Sequence, residues 1–134
     1  MAFDEDFMKL KILIAEDNKL TMGLYKQGLP ENLCDLKLVC DGEQALSVYK
    51  QWHPDIIILD HNMPVLNGYQ VLRAVRETEK DITTSIIMVT SEGDKAGIIA
   101  CAKLGIQGYI VKPFKATEIA KKIFQFHKTF KQKK

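Results

Sequence analysis

Charged and hydroxyl side chains directly follow four apolar runs of this sequence. Glu16 and Asp17 follow the first run, Asp60 follows "IIIL", Thr90 follows "IIMV" and Lys112 follows "GYIV". A lone carboxylate in such a place is usually a solvated loop residue. Together, these groups could perform phosphoryl transfer, which needs a nucleophile, a metal ion and donors for the charged oxygens. In this interpretation Asp60 is the nucleophile, and Lys112 and Thr90 donate to phosphoryl oxygens.

The three carboxylates predict a site for a divalent cation. If the first and third strands are neighbours, Glu16, Asp17 and Asp60 crowd together and raise one another's pKa values unless a cation lies among them. Mg²⁺ prefers oxygen ligands, retains several waters and commonly uses one or two carboxylates plus a phosphate. We therefore expect Mg²⁺ at this site, with Mn²⁺ as the alternative ion.

Apolar periodicity predicts the elements that position these groups. Strands are expected over residues 12–15, 36–40, 56–59, 86–89 and 109–111. Helical spacing separates them, with Asn18 as a cap and Leu20 and Leu24 on the apolar stripe of the first helix. The stripe of the fourth helix contains Ile98, Ile99 and Ala102. Five strand-helix repeats predict a doubly wound (βα)5, flavodoxin-like three-layer sandwich with a five-stranded parallel sheet in the order 2-1-3-4-5.

Composition limits the remaining choices. A chain of 134 residues with net charge +2 fits one globular domain and gives little reason to expect a nucleic-acid ligand. No apolar run approaches the roughly 20 residues of a membrane span, and acidic residues near the N-terminus argue against a secretory signal. Three cysteines without metal or redox spacing are expected to be buried free thiols in a reducing, cytoplasmic compartment.

With these residues in this order, the chain resembles a response-regulator receiver domain of two-component signalling, of the CheY-like, stand-alone kind. The resemblance rests on "ILIAEDN", "IIILDHNMPVLNG", "IIMVTSEGD" and "GYIVKPF", whose functional residues are 43, 30 and 22 positions apart. It implies an N-terminal extension at 1–8, the receiver domain at 9–128 and a basic tail at 129–134. The chain is then expected to be a signalling protein rather than a classical enzyme.

The resemblance also implies a role for each matching position. Asp60 would accept a phosphoryl group from a histidine kinase or phosphotransfer protein, and the main-chain carbonyl of Asn62 would complete the Mg²⁺ site. Thr90 would move toward the phosphate and Tyr109 would turn inward with it. The output would be a surface of helix 4, strand 5 and helix 5 that binds a downstream protein not identified by the sequence. The family further implies a cis peptide bond between Lys112 and Pro113. It also implies that Asn62 and Glu92 tune the lifetime of the phosphoryl group.

Other interpretations remain at this stage. A haloacid-dehalogenase-type phosphohydrolase would need a second carboxylate at position 62, where this chain has Asn62. A flavin module would need small residues where "AEDN" occurs, and a receiver could also act as a constitutive interaction module. His61 is expected to be a solvated loop residue that points away from Asp60.

Overall fold

The computed structural model describes residues 8–91 and 93–132 and forms one parallel sheet covered by helices on both faces. Its strands run in the spatial order β2-β1-β3-β4-β5. The fold prediction is therefore confirmed. The strand bounds are β1 Leu10–Ala15, β2 Cys34–Val39, β3 Ile56–Asp60, β4 Ser85–Ser91 and β5 Gly108–Lys112.

Within the described part of the chain, five helices connect or follow the strands. They are α1 Lys19–Gly28, α2 Gly42–Trp52, α3 Gly68–Arg73, α4 Lys95–Leu104 and α5 Ala116–Gln132, with a π-helical turn at Ala74–Thr78 after α3. Side-chain caps start four of them: Asn18, Asp41, Asn67 and Asp94 each accept a hydrogen bond from a backbone N–H of the first turn. Among the described residues, no helix is long and apolar enough to span a membrane.

The central strands are buried on both faces because each face of the sheet carries its own helices. Ile56 and Ile58 of β3 pack with α1 and α5, whereas Ile57 and Leu59 pack with α2, α3 and α4. All four side chains are fully buried, and burial of such a side chain contributes about 1.5–3 kcal/mol. This packing fixes the position of Asp60, which ends the same strand.

Two helix faces differ from the prediction. Leu20 is 84% exposed, because the buried face of α1 runs through Tyr25 and Gly28, where the helix approaches α5. Ile99 is 58% exposed and Ala102 is also exposed, whereas Cys101 is buried. Because α4 is apolar around most of its circumference, spacing alone did not identify the side that packs on the sheet.

The edge strand β5 is less buried than its apolar sequence suggested. Ile110 is buried against the α1 and α5 side, but Tyr109 is 49% exposed and Val111 is 39% exposed. The other face of β5 is therefore only partly covered by α4. The result is an accessible apolar surface beside the carboxyl edge of the sheet.

A buried arginine ties the π-helical turn to the loops at the amino edge of the sheet. The guanidinium of Arg76 donates to the carbonyl oxygens of Asp81, Thr84 and Gly105 and to the side chain of Gln107, at distances of 2.8–2.9 Å. Burial lowers its pKa from the ordinary value. These bonds compensate for the desolvation of the charge.

A histidine of α5 is bound at the same edge. His127 Nδ1 lies 2.6 Å from the hydroxyl of Ser85, which is fully buried at the start of β4. Burial, followed by the charge of Lys131, lowers the pKa of His127, while Asp55 acts weakly in the opposite direction. The neutral ring is therefore the form that the folded state favours.

The cysteine and boundary predictions have different outcomes. Cys34 and Cys101 are buried free thiols as expected, but Cys40 is exposed just after β2, so the prediction was wrong for this residue. The described helix α5 continues to Gln132, past the predicted domain limit at 128. The limits 1–8, 9–128 and 129–134 stay predictions, and residues 1–7 and 133–134 lie outside the described residues.

Candidate functional site

Asp60 lies at the carboxyl end of the central strand with only 4% of its surface exposed. It pairs in register with Val89 of β4, and Leu59 before it pairs with Ala15 of β1. The backbone N–H of Asn62 donates to its Oδ1 at 3.1 Å. The carboxylate therefore has a fixed orientation at the point where the sheet order changes direction, the usual ligand site of this architecture.

Lys112 provides the positive charge of the site from the end of β5. Its Nζ lies 2.8 Å from Asp60 Oδ2 and 3.1 Å from Glu16 Oε1. Burial alone would lower the pKa of Lys112, but its hydrogen bonds to Asp60 and Glu16 outweigh burial and raise the pKa above the ordinary value. The peptide bond between Lys112 and Pro113 is cis.

Glu16 is fully buried directly after β1, where its backbone N–H donates to Val39 of β2. Burial, together with the charge of Asp60, raises the pKa of Glu16, although a hydrogen bond from the N–H of Asn18 opposes the shift. Its buried Oε1 is paired with the ammonium of Lys112 at 3.1 Å. A carboxylate held in this way still has oxygen lone pairs with which to ligate a cation.

The three predicted carboxylates are indeed close together. Glu16, Asp17 and Asp60 each offer an oxygen, and these oxygens lie within 4.8 Å of one another. Glu16 and Asp60 are buried, whereas Asp17 is exposed. Three carboxylates and one ammonium leave two formal negative charges unbalanced, so the donor set fits a divalent cation that prefers oxygen ligands.

Thr90 lies at the end of β4 with 4% of its surface exposed. Its hydroxyl lies 3.4 Å from the carbonyl oxygen of Ser91 and 3.5 Å from Asp94 Oδ2. Both distances are long for O–H donation, so the hydroxyl is weakly held. Beside it, Tyr109 and Val111 line an open groove of about 420 Å³ together with residues of α4.

His61 differs from its predicted role. Its Nδ1 lies 2.9 Å from Asp94 Oδ2, and only 22% of its side chain is exposed. The prediction of a solvated loop residue is therefore wrong, because a carboxylate from the next loop binds the ring. The role of Asp94 was not predicted, since only the fold brings the two loops together. Glu92, a predicted rate-tuning position, lies outside the described residues.

A doubly wound sheet with a carboxylate, lysine and acidic pair at its carboxyl edge defines an α/β protein of the flavodoxin-like class. The family of response regulator receiver domains matches residues 12–124. The chain belongs to this family. The candidate site residues thus lie within the matched part of the chain.

Curated relatives include proteins of two sizes. The chemotaxis protein CheY of Pseudomonas aeruginosa is 35% identical over 115 residues, which cover 85% of this chain and 93% of that protein. "Probable transcriptional regulator ycf27" of Porphyridium aerugineum is 37% identical over 86% of this chain, which spans only 47% of that relative's length. "DNA-binding response regulator MtrA" of Mycobacterium tuberculosis is 31% identical, and the match covers half of its length.

Solved structures agree with the fold. The chemotaxis response regulator CheY4 of Vibrio cholerae has a TM-score of 0.81 and 27% identity, covering 89% of this chain and 99% of that one. The receiver domain of the Francisella response regulator 1452 has a TM-score of 0.79 and 28% identity, covering 90% and 98% of the two chains.

Proposed function

We propose that the chain is a Mg²⁺-dependent phosphoacceptor that takes a phosphoryl group on Asp60 and thereby changes a protein-binding surface. The observation that carries this proposal is the 2.8 Å contact between Lys112 Nζ and Asp60 Oδ2. Asp60 also belongs to a cluster of three carboxylates whose oxygens lie within 4.8 Å of one another. The donor would be a phosphohistidine of a histidine kinase or phosphotransfer protein. A cytoplasmic location and independence from nucleic acid stay predictions.

The transfer is a displacement at phosphorus. A carboxylate oxygen of Asp60 attacks the phosphorus atom, a new O–P bond forms, and the P–N bond to the donor imidazole breaks with its electron pair on nitrogen. When bound, Mg²⁺ would neutralise charge on the phosphoryl oxygens. Glu16 and Asp17 would hold it with Asp60 and the carbonyl of Asn62.

After transfer, the donors around Asp60 would act on the new group. Lys112, which now pairs with Asp60, would pair with a phosphoryl oxygen at nearly the same place. Thr90 would donate its weakly held hydroxyl to another oxygen. Such a change at one buried site can bias a neighbouring two-state element.

The proposed output surface consists of α4, β5 and α5. Its support is the groove at Tyr109, which is open beside Thr90 and lined by Val111, Ile98 and Ile99. An inward rotation of Tyr109 would change both the volume and the polarity of this groove. An NMR response to beryllium fluoride that persisted unchanged in Tyr109→Ala would remove this residue from the switch.

Intact-protein mass spectrometry tests the central step. With acetyl phosphate and Mg²⁺, the wild type should gain one phosphoryl mass, and Asp60→Asn should gain none. Asp35→Asn is the matched control, because Asp35 is an exposed carboxylate on β2 with only a 3.9 Å pair to Lys9. Equal gain in Asp60→Asn, or no gain by the wild type with either acetyl phosphate or a phosphorylated kinase, would contradict the proposal. The latter result would favour a constitutive interaction module.

A further inference from the structure

One side-chain pair joins the loop after β3 to the loop after β4. His61 follows β3 directly and Asp94 is the N-cap of α4, and their Nδ1 and Oδ2 atoms are 2.9 Å apart. The contact is largely sheltered, since the side chains are only 22% and 35% exposed. It lies beside the buried Thr90 and therefore next to the proposed reaction.

His61 is a well-anchored donor. Its backbone N–H donates to Val89 at 2.9 Å, and its carbonyl oxygen accepts from Gly68 at 3.1 Å. Both bonds fix the chain between β3 and α3, so the ring projects from a rigid base. The Nδ1–H donor occurs in a neutral tautomer as well as in the charged ring, so the contact does not require a protonation change.

The two carboxylate oxygens of Asp94 contact different groups. Oδ1 accepts from the N–H of Gly97 and caps α4, at 3.1 Å. Oδ2 accepts from His61 and also lies 3.5 Å from the hydroxyl of Thr90. One carboxylate thus contacts His61, the start of α4 and the hydroxyl that the proposed reaction requires.

We propose that Asp94, held by His61, is a positioning residue that retains Thr90 and the start of α4 in the unphosphorylated arrangement. This inference rests on the proposed function. Thr90 has a single hydroxyl proton, for which Asp94 Oδ2 at 3.5 Å, the carbonyl oxygen of Ser91 at 3.4 Å and a phosphoryl oxygen on Asp60 are alternative acceptors. The phosphoryl group also repels the carboxylate of Asp94. Donation to the phosphoryl oxygen would therefore give up the long contact between Thr90 and Asp94, and a shift of Asp94 would reach α4 through the cap.

Removal of the competing carboxylate should favour the phosphorylated arrangement. Asp94→Asn keeps an N-cap residue of similar strength but removes the charge. His61→Ala leaves the cap intact and releases Oδ2 from the ring. Each variant should bind beryllium fluoride, in the presence of Mg²⁺, about three- to tenfold more tightly than the wild type, because less of the intrinsic affinity is used to shift the conformation.

Beryllium fluoride titrations followed by NMR provide the test. Asp41→Asn is the matched control, because Asp41 caps α2 through the same type of bond, at 2.8 Å to the N–H of Gln44, and its affinity should equal that of the wild type. In a Thr90→Val background, His61→Ala should no longer change the affinity, since no hydroxyl is released, and Asp94→Asn should retain only the part of its effect that comes from removal of the charge. A purely structural role of Asp94 would not produce this dependence on Thr90.

The outcomes separate this inference from the proposed function. Failure of the wild type to bind beryllium fluoride with Mg²⁺ would overturn the proposed function and, with it, the role of Asp94. If the wild type binds but Asp94→Asn and His61→Ala bind equally well or more weakly, only the positioning role is wrong. Thermal denaturation of each variant identifies loss of folding, and His61→Ala still tests the role if Asp94→Asn does not fold.

Discussion

Asp17→Asn should stabilise the protein when Mg²⁺ is absent. Asp17 contributes one of three carboxylates whose oxygens lie within 4.8 Å of one another. At that separation two negative charges repel by about 0.9 kcal/mol in water and about 3.5 kcal/mol at an effective dielectric constant of 20. Because Asp17 is exposed, solvent screening favours the lower value. We expect the free energy of unfolding to rise by about 1 kcal/mol.

With Mg²⁺ the order of stability should reverse. A ligand at 100 times its Kd stabilises the folded state by about 2.7 kcal/mol. For a chain of this size, 1 kcal/mol corresponds to roughly 4 °C in Tm, so the wild type should gain about 10 °C. Asp17→Asn should lose most of this gain, because it lacks one of the ligand carboxylates.

Thermal denaturation followed by circular dichroism measures both effects. Wild type, Asp17→Asn and the control Asp35→Asn are compared at neutral pH, first with a chelator and then with increasing Mg²⁺. Asp35→Asn should respond to Mg²⁺ as the wild type does, since its exposed pair with Lys9 spans 3.9 Å. An equal Mg²⁺ response in Asp17→Asn, or a lower Tm than wild type in chelator, would refute the reasoning from charge repulsion.

Three further predictions concern the scaffold. Because the pKa of His127 is lowered, its contribution to the free energy of unfolding should be fully present above about pH 6.5 and be lost as the pH falls toward the folded-state pKa. In urea denaturation, His127→Asn should show a weaker decline of stability over this range. Arg76→Met should cost about 3 kcal/mol in urea denaturation by leaving buried carbonyl groups unpaired, whereas exposed Arg73→Met should change little. Gly68→Ala should lower the free energy of unfolding by about 1–3 kcal/mol, because its new methyl group meets the carbonyl oxygen of Asp60. In the same assay Gly23→Ala, whose methyl group meets nothing within 4 Å, should raise it by up to about 1 kcal/mol.

The positions of Asp60 and Lys112 could be predicted because strand ends are encoded locally. A short, continuous apolar run has to be buried in the sheet, and the first polar residue after it lies at the edge. Parallel order then brings several such residues to the same edge. The acidic group at Glu16 was predictable for the same reason, although its complete burial was not.

The exposure of Leu20 and the pairing of His61 could not be predicted in this way. Leu20 has helical spacing to Leu24, but only the close approach of α1 to α5 decides which side is covered. His61 and Asp94 belong to separate loops, so their contact depends on where two strands leave the sheet. Local patterns describe each element, whereas these outcomes depend on how the elements pack.

Lys112, which balances the buried carboxylates, is synthesised after both of them. Glu16 follows the first strand, Asp60 ends the third, and Lys112 ends the fifth. During synthesis the ribosome releases both buried carboxylates long before their ammonium partner exists. A nascent chain that stops before β5 lacks Lys112, the ammonium that contacts both carboxylates. The last strand therefore completes the electrostatics as well as the sheet, and competence for the proposed reaction would arise only as the domain closes.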